Sequence, residues 1–204
     1  MAFLLRMKTW LLFTLLVLPV LFEILVVATA GFSFIADEGI EQDEFLFSSI
    51  IFFILFVIAA IMSMVILLSW LYAVATRLYP KLPEGHQLKI GRFRFAFFFP
   101  VIYIIAFTGL IFVMVSTESP EWIFIILPFH MFAMVCMFYV LYYTAKSLKS
   151  VELQRPVKFA DYAGEFFMIW IFFIGVWVIQ PRINKIFAND GPSEYGGPVD
   201  RYLK

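Results

Sequence analysis

The sequence predicts an all-α integral membrane protein: a four-transmembrane-helix bundle with a short re-entrant or interfacial helix near its C-terminus. Apolar residues occupy 63% of the 204 positions, and charged residues occupy 15%. A soluble domain usually carries about 45–50% apolar and about 25% charged residues, so part of this apolar surface must face lipid. The apolar residues are concentrated in four long runs, and the segments between the runs hold nearly all of the charges.

Each of the four runs is long enough to cross a bilayer. A helix needs about 20 predominantly apolar residues to span roughly 30 Å of hydrocarbon. The runs are Trp10–Ile35, Phe45–Thr76, Phe95–Val115 and Trp122–Tyr143. At about 1.5 Å per residue, the second run is too long for an upright span, so we expect it to tilt or to project beyond the membrane.

The signs of the charges between the runs predict the orientation of the spans. Basic residues precede the first run and predominate in segments 77–94 and 144–165, whereas segment 36–44 holds acidic residues and no Lys or Arg. Short basic segments stay on the cytoplasmic side. The N-terminus and the two basic loops are therefore predicted to lie inside, and segments 36–44 and 116–121 outside.

A fifth apolar run, Phe166–Ile179, is shorter than the other four. Runs of about 10–14 residues are more often interfacial or re-entrant than spanning. If this run crossed, Arg182 and Lys185 would lie outside, against the charge rule, and Gly175 in its middle permits a bend. We therefore predict four spans and a short apolar helix over 166–179, with five transmembrane helices as the alternative.

The predicted domain organisation is a single transmembrane helical domain over residues 1–187, followed by a flexible polar tail over 188–204. The fourth helix is expected to continue into the cytoplasm, with Lys149 and Glu152 one turn apart. The pair Arg155-Pro156 should end it, because the residue before proline disfavours helical geometry.

Glu23 is the one charged residue inside a predicted span. A carboxylate in the middle of the bilayer is costly, so it usually faces the bundle interior, finds a partner or remains protonated. Pro19, one turn earlier, removes a backbone hydrogen bond and indicates a kink. Two interpretations follow: a proton-coupled carboxylate of an ion or substrate site, or a protonated side chain that bonds a neighbouring helix and fixes its register.

His130 is the candidate partner of Glu23. At about 1.5 Å per residue their predicted depths differ by roughly one helical turn, and an intramembrane Glu–His pair is a proton-relay motif. The alternative is a histidine whose ring bonds a carbonyl.

Four charged residues near the predicted cytoplasmic interface form a second candidate site: Arg155, Asp161, Glu165 and Arg182. In a membrane enzyme such residues would act at the interface. The alternative is a set of solvated loop charges whose basic members contact anionic headgroups.

The sequence predicts no cofactor, no metal site and no nucleic-acid partner. The single Cys136 lies inside an apolar run, and His86 and His130 are the only histidines, so neither zinc-ligand spacing nor a pair of inward-facing haem ligands is present. The formal net charge is zero, which gives no indication of a nucleic-acid partner.

The segment 145–184 resembles the C-terminal part of uncharacterised small bacterial multi-pass inner-membrane proteins. The resemblance rests on AKSLK at 145–149, DYAGEFF at 161–167 and IQPRIN at 179–184. It implies no activity, but it implies that the short fifth run and its polar flanks form a unit. It also implies a bacterial cytoplasmic (inner) membrane protein, and the charge rule then places its N-terminus in the cytoplasm.

These observations favour a non-catalytic multi-pass membrane protein that acts as a subunit, scaffold or assembly factor of a membrane complex. Its predicted partners are the lipid bilayer and either another membrane protein or further copies of itself. A small proton-coupled transporter or channel that uses Glu23 is the first alternative. A membrane enzyme with a cytoplasmic-interface site near 155–182 is the second.

Overall fold

The computed structural model describes residues 2–36, 42–117 and 123–188, and every element in these ranges is helical. A short α1 precedes the long helices, and a 3-10 turn, Tyr79–Lys81, follows the second of them. The α-helices are α1 Ala2–Arg6, α2 Thr9–Ala36, α3 Gln42–Leu78, α4 Ile90–Thr117, α5 Ile123–Leu153, α6 Phe159–Trp170 and α7 Phe172–Ala188.

Four of these helices are long and apolar enough to cross a membrane. Their candidate spans are Thr9–Thr29, Ile50–Lys81, Ile90–Phe107 and Ile123–Leu153. The predicted all-α membrane bundle with four spans is therefore confirmed. Pro19, Pro100 and Pro128 lie inside these helices without ending them, as is common in transmembrane segments.

The predicted continuation of the fourth helix beyond its apolar run is also confirmed, and the cytoplasmic location of this extension stays a prediction. Helix α5 continues to Leu153, and Lys149 and Glu152 lie one turn apart, with 3.8 Å between Nζ and Oε2. Gln154 then adopts a φ of 49°, a left-handed conformation that ends the helix directly before Arg155-Pro156.

The fifth apolar run differs from the predicted single short helix. It is divided between α6 and α7, and the intervening Ile171 has non-helical angles, φ −92° and ψ 66°. A Cβ atom at Gly175 would overlap the carbonyl oxygen of Met168. The bend brings the two backbones so close that only a residue without a side chain fits. Re-entry of this run into the membrane stays a prediction.

The chain divides into two compact units. The first consists of the described residues up to Trp70 together with those from Val176, and the second is Leu71–Gly175. The single domain over 1–187 stays a prediction. The tail from Asn189 onward lies outside the described residues.

In the first unit, Gln180 on α7 binds the end of α1. Its side-chain Nε2 donates to the carbonyls of Leu4 and Met7, at 3.0 and 3.2 Å, and its Oε1 accepts from Trp70 Nε1 at 2.9 Å. The last carbonyls of a helix have no hydrogen-bond donor within the helix. Here the buried Gln180 amide donates to them in place of water. We call Gln180, Trp70 and the carbonyls of residues 4–7 the amide clamp.

In the second unit, α5 packs against both α4 and α6. Its buried positions recur every three or four residues: Ala133, Cys136, Val140, Tyr143, Ser147 and Val151. Aromatic contacts join the helices, with Phe93 on α4 4.7 Å from Tyr143, and Tyr162 on α6 5.7 Å from Tyr142, between ring centroids. This packing fixes the positions of the polar residues on α4, α5 and α6.

Candidate functional site

The intramembrane carboxyl group of Glu23 on α2 is paired with Ser63 on α3. The distance between Ser63 Oγ and Glu23 Oε1 is 2.9 Å, and both residues are half-buried. Ser63 Oγ also lies 3.0 Å from the carbonyl oxygen of Ala59, one turn earlier on its own helix. A polar contact therefore joins the first two spans.

The Ser63 hydroxyl has two acceptors within reach and one proton to donate. When it donates to Glu23, the carboxyl group is free to be ionised. When it donates to the carbonyl of Ala59, its oxygen can accept a hydrogen bond from a protonated Glu23. The same geometry thus provides a hydrogen bond to either protonation state of the carboxyl group.

The Glu23 side chain borders an open groove of about 360 Å³, and the other described residues that line this groove are apolar. The other lining residues are Val20, Ile24, Val27, Ala28 and Phe56. A second, apolar groove of about 470 Å³ is lined by Pro19, Phe22 and other residues of α2, together with Ala59, Met62 and other residues of α3. The carboxyl group therefore lies on an accessible apolar surface of the two spans.

Within the second unit, His130 on α5 contacts Tyr103 on α4. Its Nδ1 lies 3.3 Å from the hydroxyl of Tyr103 on α4, and its ring lies 5.8 Å from the Tyr103 ring and 6.0 Å from the Phe107 ring, between centroids. Glu23 and His130 each have a hydrogen-bonding partner within their own unit. The predicted Glu23–His130 pair stays a prediction.

Three of the four candidates of the second predicted site take part in two separate ion pairs. Arg155 Nη2 lies 3.2 Å from Asp161 Oδ1, whereas Glu165 Oε1 lies 2.9 Å from Lys149 Nζ. Asp161 and Glu165 are one turn apart on α6, but each carboxylate faces its own cation. Arg182 is half-buried on α7, in the first unit.

The backbone N–H of Lys158 donates to Asp161 at 2.9 Å, and this bond, followed by the Arg155 contact, lowers the pKa of the Asp161 carboxyl group. A carboxylate in the first turn also favours the helix electrostatically. Glu165 is buried and joins α6 to α5 through Lys149. Asp161 and Glu165 therefore both have a structural role: their contacts hold α6 in place.

Three partners in these sites were not assigned by the sequence: Ser63, Tyr103 and Lys149. Ser63 was visible as a small residue one turn from Ala59 on the second span, and Lys149 as a basic residue on the helix extension. Tyr103 gave no signal, because one tyrosine in an aromatic-rich span is ordinary. Sequence spacing within one helix cannot show which neighbour faces it from another helix.

These features define a multi-pass membrane protein, helical in its described elements, in which the carboxyl group of Glu23 within a span bonds a serine. Comparison of the chain with protein-family models, curated proteins and solved structures found no match. Within residues 2–36, 42–117 and 123–188, no three His, Cys, Asp or Glu side chains are grouped as metal ligands would be.

Proposed function

We propose that this protein is a non-catalytic subunit of a membrane complex, and that a transmembrane helix of a partner protein docks on the surface carrying Glu23 and Ser63. The observation that carries the proposal is the position of the Glu23 carboxyl group. It lies within a span, bonds Ser63 at 2.9 Å, and borders an otherwise apolar open groove.

A polar group in hydrocarbon is costly unless it has partners. A carboxylate accepts about four hydrogen bonds when ionised, so the Ser63 contact leaves room for a donor from another helix. Small residues let a second backbone approach closely in a membrane, and Ala28, an exposed residue that lines the Glu23 groove, provides one. Polar residues that face apolar surroundings also give such contacts their specificity.

The partner segment predicted by this chemistry is an apolar helix with a hydrogen-bond donor or a basic side chain near the depth of Glu23. A basic residue would complement the carboxylate, and an amide or hydroxyl would bond either protonation state. The apolar surface around Pro19 and Phe22 would cover the rest of that helix.

Co-purification after mild detergent extraction tests this proposal. Wild-type protein should retain a membrane-protein partner, Glu23→Leu should lose it, and Ser63→Ala should retain less. Glu84→Leu is the matched control, because Glu84 is an exposed residue of the 82–89 segment. A folded wild-type monomer that carries no partner would refute the subunit proposal, and recovery of a second copy alone would identify a homo-oligomer.

A small proton-coupled transporter is the second candidate, favoured by the two acceptors of the Ser63 hydroxyl. The Ser63 hydroxyl could switch its hydrogen bond between the Ala59 carbonyl and the Glu23 carboxyl group. The carboxyl group would then bind and release a proton while it stays hydrogen-bonded to Ser63. Glu23→Gln would then abolish proton-coupled uptake in proteoliposomes while leaving the amount of inserted protein unchanged. A subunit that needs only hydrogen bonding should tolerate Glu23→Gln and keep its partner.

The proposed location is the bacterial cytoplasmic membrane, with the N-terminus and the 82–89 segment in the cytoplasm. Support comes from the alternating charges and from the four candidate spans. In a Cys136→Ala background, a membrane-impermeant thiol reagent added to intact cells should label Glu38→Cys but not Lys8→Cys or Gln87→Cys. The reverse labelling pattern would show that the protein has the opposite orientation in the membrane.

A further inference from the structure

The pair formed by Tyr103 and His130 lies where hydrocarbon is expected. Both residues belong to candidate spans, on α4 and α5, and the His130 side chain is exposed. Their hydroxyl oxygen and Nδ1 lie 3.3 Å apart. An imidazole exposed to lipid alone loses its hydrogen bonds to water, and a polar group on a bound ligand would replace one of them.

A groove of about 330 Å³ runs beside this pair. Small-molecule sites are typically apolar clefts of about 300–1,000 Å³ in which a few polar groups fix the orientation of the ligand. This groove has that composition, with apolar side chains from α4, α5 and α6 around two polar groups. Residues of its lining used here are Tyr103, His130, Met134, Met137, Phe138 and Trp170.

The walls of the groove suit a flat ring. Phe138 and Trp170 are in edge contact, with 5.8 Å between their ring centroids, and Met134 and Met137 add flexible, polarisable side chains. Aromatic and thioether groups pack well against a planar ring.

The pair lies within two candidate spans. His130 is seven residues beyond Ile123, the start of its candidate span, which corresponds to about 10 Å along the helix. A molecule that reaches the pair from the lipid must dissolve in the apolar layer and carry a polar group small enough to enter it.

The contact between Tyr103 and His130 suits either imidazole tautomer, and one of the two provides a donor for that molecule. When the Tyr103 hydroxyl donates to Nδ1, the neutral imidazole carries its proton on Nε2. Nε2 is then a donor held in place by Tyr103. A carbonyl oxygen on a planar, lipid-soluble ring meets this requirement, and an apolar tail would continue along the groove.

We propose that the groove between α4, α5 and α6 binds a lipid-soluble quinone, with His130 Nε2 donating to a ring carbonyl and Tyr103 acting as a positioning residue. This site is independent of the Glu23 surface. A positive or negative result for quinone binding therefore does not bear on the proposed partner contact at Glu23.

Titration with a decyl-tailed benzoquinone tests the proposal, with the protein in nanodiscs and tryptophan fluorescence quenching as the readout. Empty nanodiscs of the same lipid correct for partitioning of the quinone into the bilayer. Wild-type protein should show saturable quenching, and His130→Phe should bind about fivefold to tenfold more weakly, the loss expected for one hydrogen bond. Tyr103→Phe should also weaken binding, because the imidazole is no longer held in one tautomer and orientation.

His86→Phe is the matched control, since it makes the same substitution in the 82–89 segment and should bind as wild type does. Decylbenzene, which has the tail but no carbonyl group, should not displace the quinone. The proposal is overturned if wild type shows no saturable quenching, if His130→Phe binds equally well, or if decylbenzene competes equally. Should His130→Phe fail to fold, the Tyr103→Phe titration and the decylbenzene competition decide the outcome.

Discussion

Trp70 and Gln180 are 110 positions apart in sequence, yet the Trp70 indole N–H donates to Gln180 Oε1 at 2.9 Å, and both side chains are fully buried. The Nε2 group of the same amide donates to the carbonyls of Leu4 and Met7, at 3.0 and 3.2 Å. Three distant segments of the chain therefore meet at one side-chain amide. A buried polar group of this kind is stable only while each of its partners is present.

Gln180→Leu should destabilise the protein, because it removes the acceptor of the Trp70 N–H and the side-chain donor to the Leu4 carbonyl. Each unsatisfied buried group costs about 1–3 kcal/mol, which predicts a clearly lower unfolding temperature in detergent, measured by circular dichroism. Gln87→Leu, in an exposed position, should change the free energy of unfolding by less than about 0.5 kcal/mol.

A double-mutant cycle makes this prediction specific to the amide clamp. Once Gln180→Leu has removed the acceptor, Trp70→Phe should cost less than it does in wild type, because the unpaired N–H is then removed as well. Strict additivity of the two substitutions would contradict the role given to the bond.

Gly175→Ala should be strongly unfavourable, because the added Cβ would overlap the carbonyl oxygen of Met168. Overpacking of this kind costs about 1–3 kcal/mol and occasionally more. Gly164→Ala is the matched control. It lies on α6, and nothing is within 4 Å of an added Cβ, so it should stabilise the helix by about 0.5–1 kcal/mol. Equal effects in thermal unfolding would show that the bend at Ile171 does not depend on Gly175.

The two ion pairs of α6, Lys149–Glu165 and Arg155–Asp161, should differ in strength. Glu165 is 7% exposed and its partner Lys149 is 23% exposed, whereas Arg155 is 53% exposed. Lys149→Gln should lower the free energy of unfolding by about 1.5–3 kcal/mol, as expected for a buried hydrogen bond to a charged group. Arg155→Gln should cost less than about 1 kcal/mol because solvent screens the pair. A larger effect of Arg155→Gln would reverse the assignment of Glu165 as the main contact of α6.

The contribution of Asp161 should depend on pH in one direction. The Lys158 N–H and then Arg155 hold the folded-state pKa of this carboxyl group below its ordinary value of 3.8. Its stabilising effect is therefore fully present above that value and disappears as the pH falls through the lower, folded-state pKa. The difference in unfolding temperature between wild type and Asp161→Asn should be constant near neutral pH and vanish in acid. A difference that grows in acid would contradict this sign.

The sequence predicted those features of the fold that depend on one dominant physical quantity. Hydropathy and length predicted four spans, and the Arg155-Pro156 pair predicted the end of α5 close to Leu153. The position of the break in the fifth run was not predicted, because Ile171 is an ordinary apolar residue. The break depends on a close approach between Gly175 and Met168, which only the folded chain shows.

The polar contacts were less predictable for the same reason. Glu23 was identified as exceptional because a charge inside a span is rare, but its bond to Ser63 depends on how two helices are rotated. Gln180 was seen only as a polar flank of a short apolar run. Its role requires α1, a five-residue helix too short for its periodicity to be recognised.

The amide clamp also constrains the order in which the chain is assembled during translation. The Met7 carbonyl and the Gln180 amide are separated by 173 positions, and the ribosome makes Met7 first. Helices α2 and α3 are therefore synthesised while the carbonyls at the end of α1 still lack their partner. The first unit closes only after α7 has been made, so a nascent chain arrested before Gln180 would hold inserted spans with an undocked N-terminal segment.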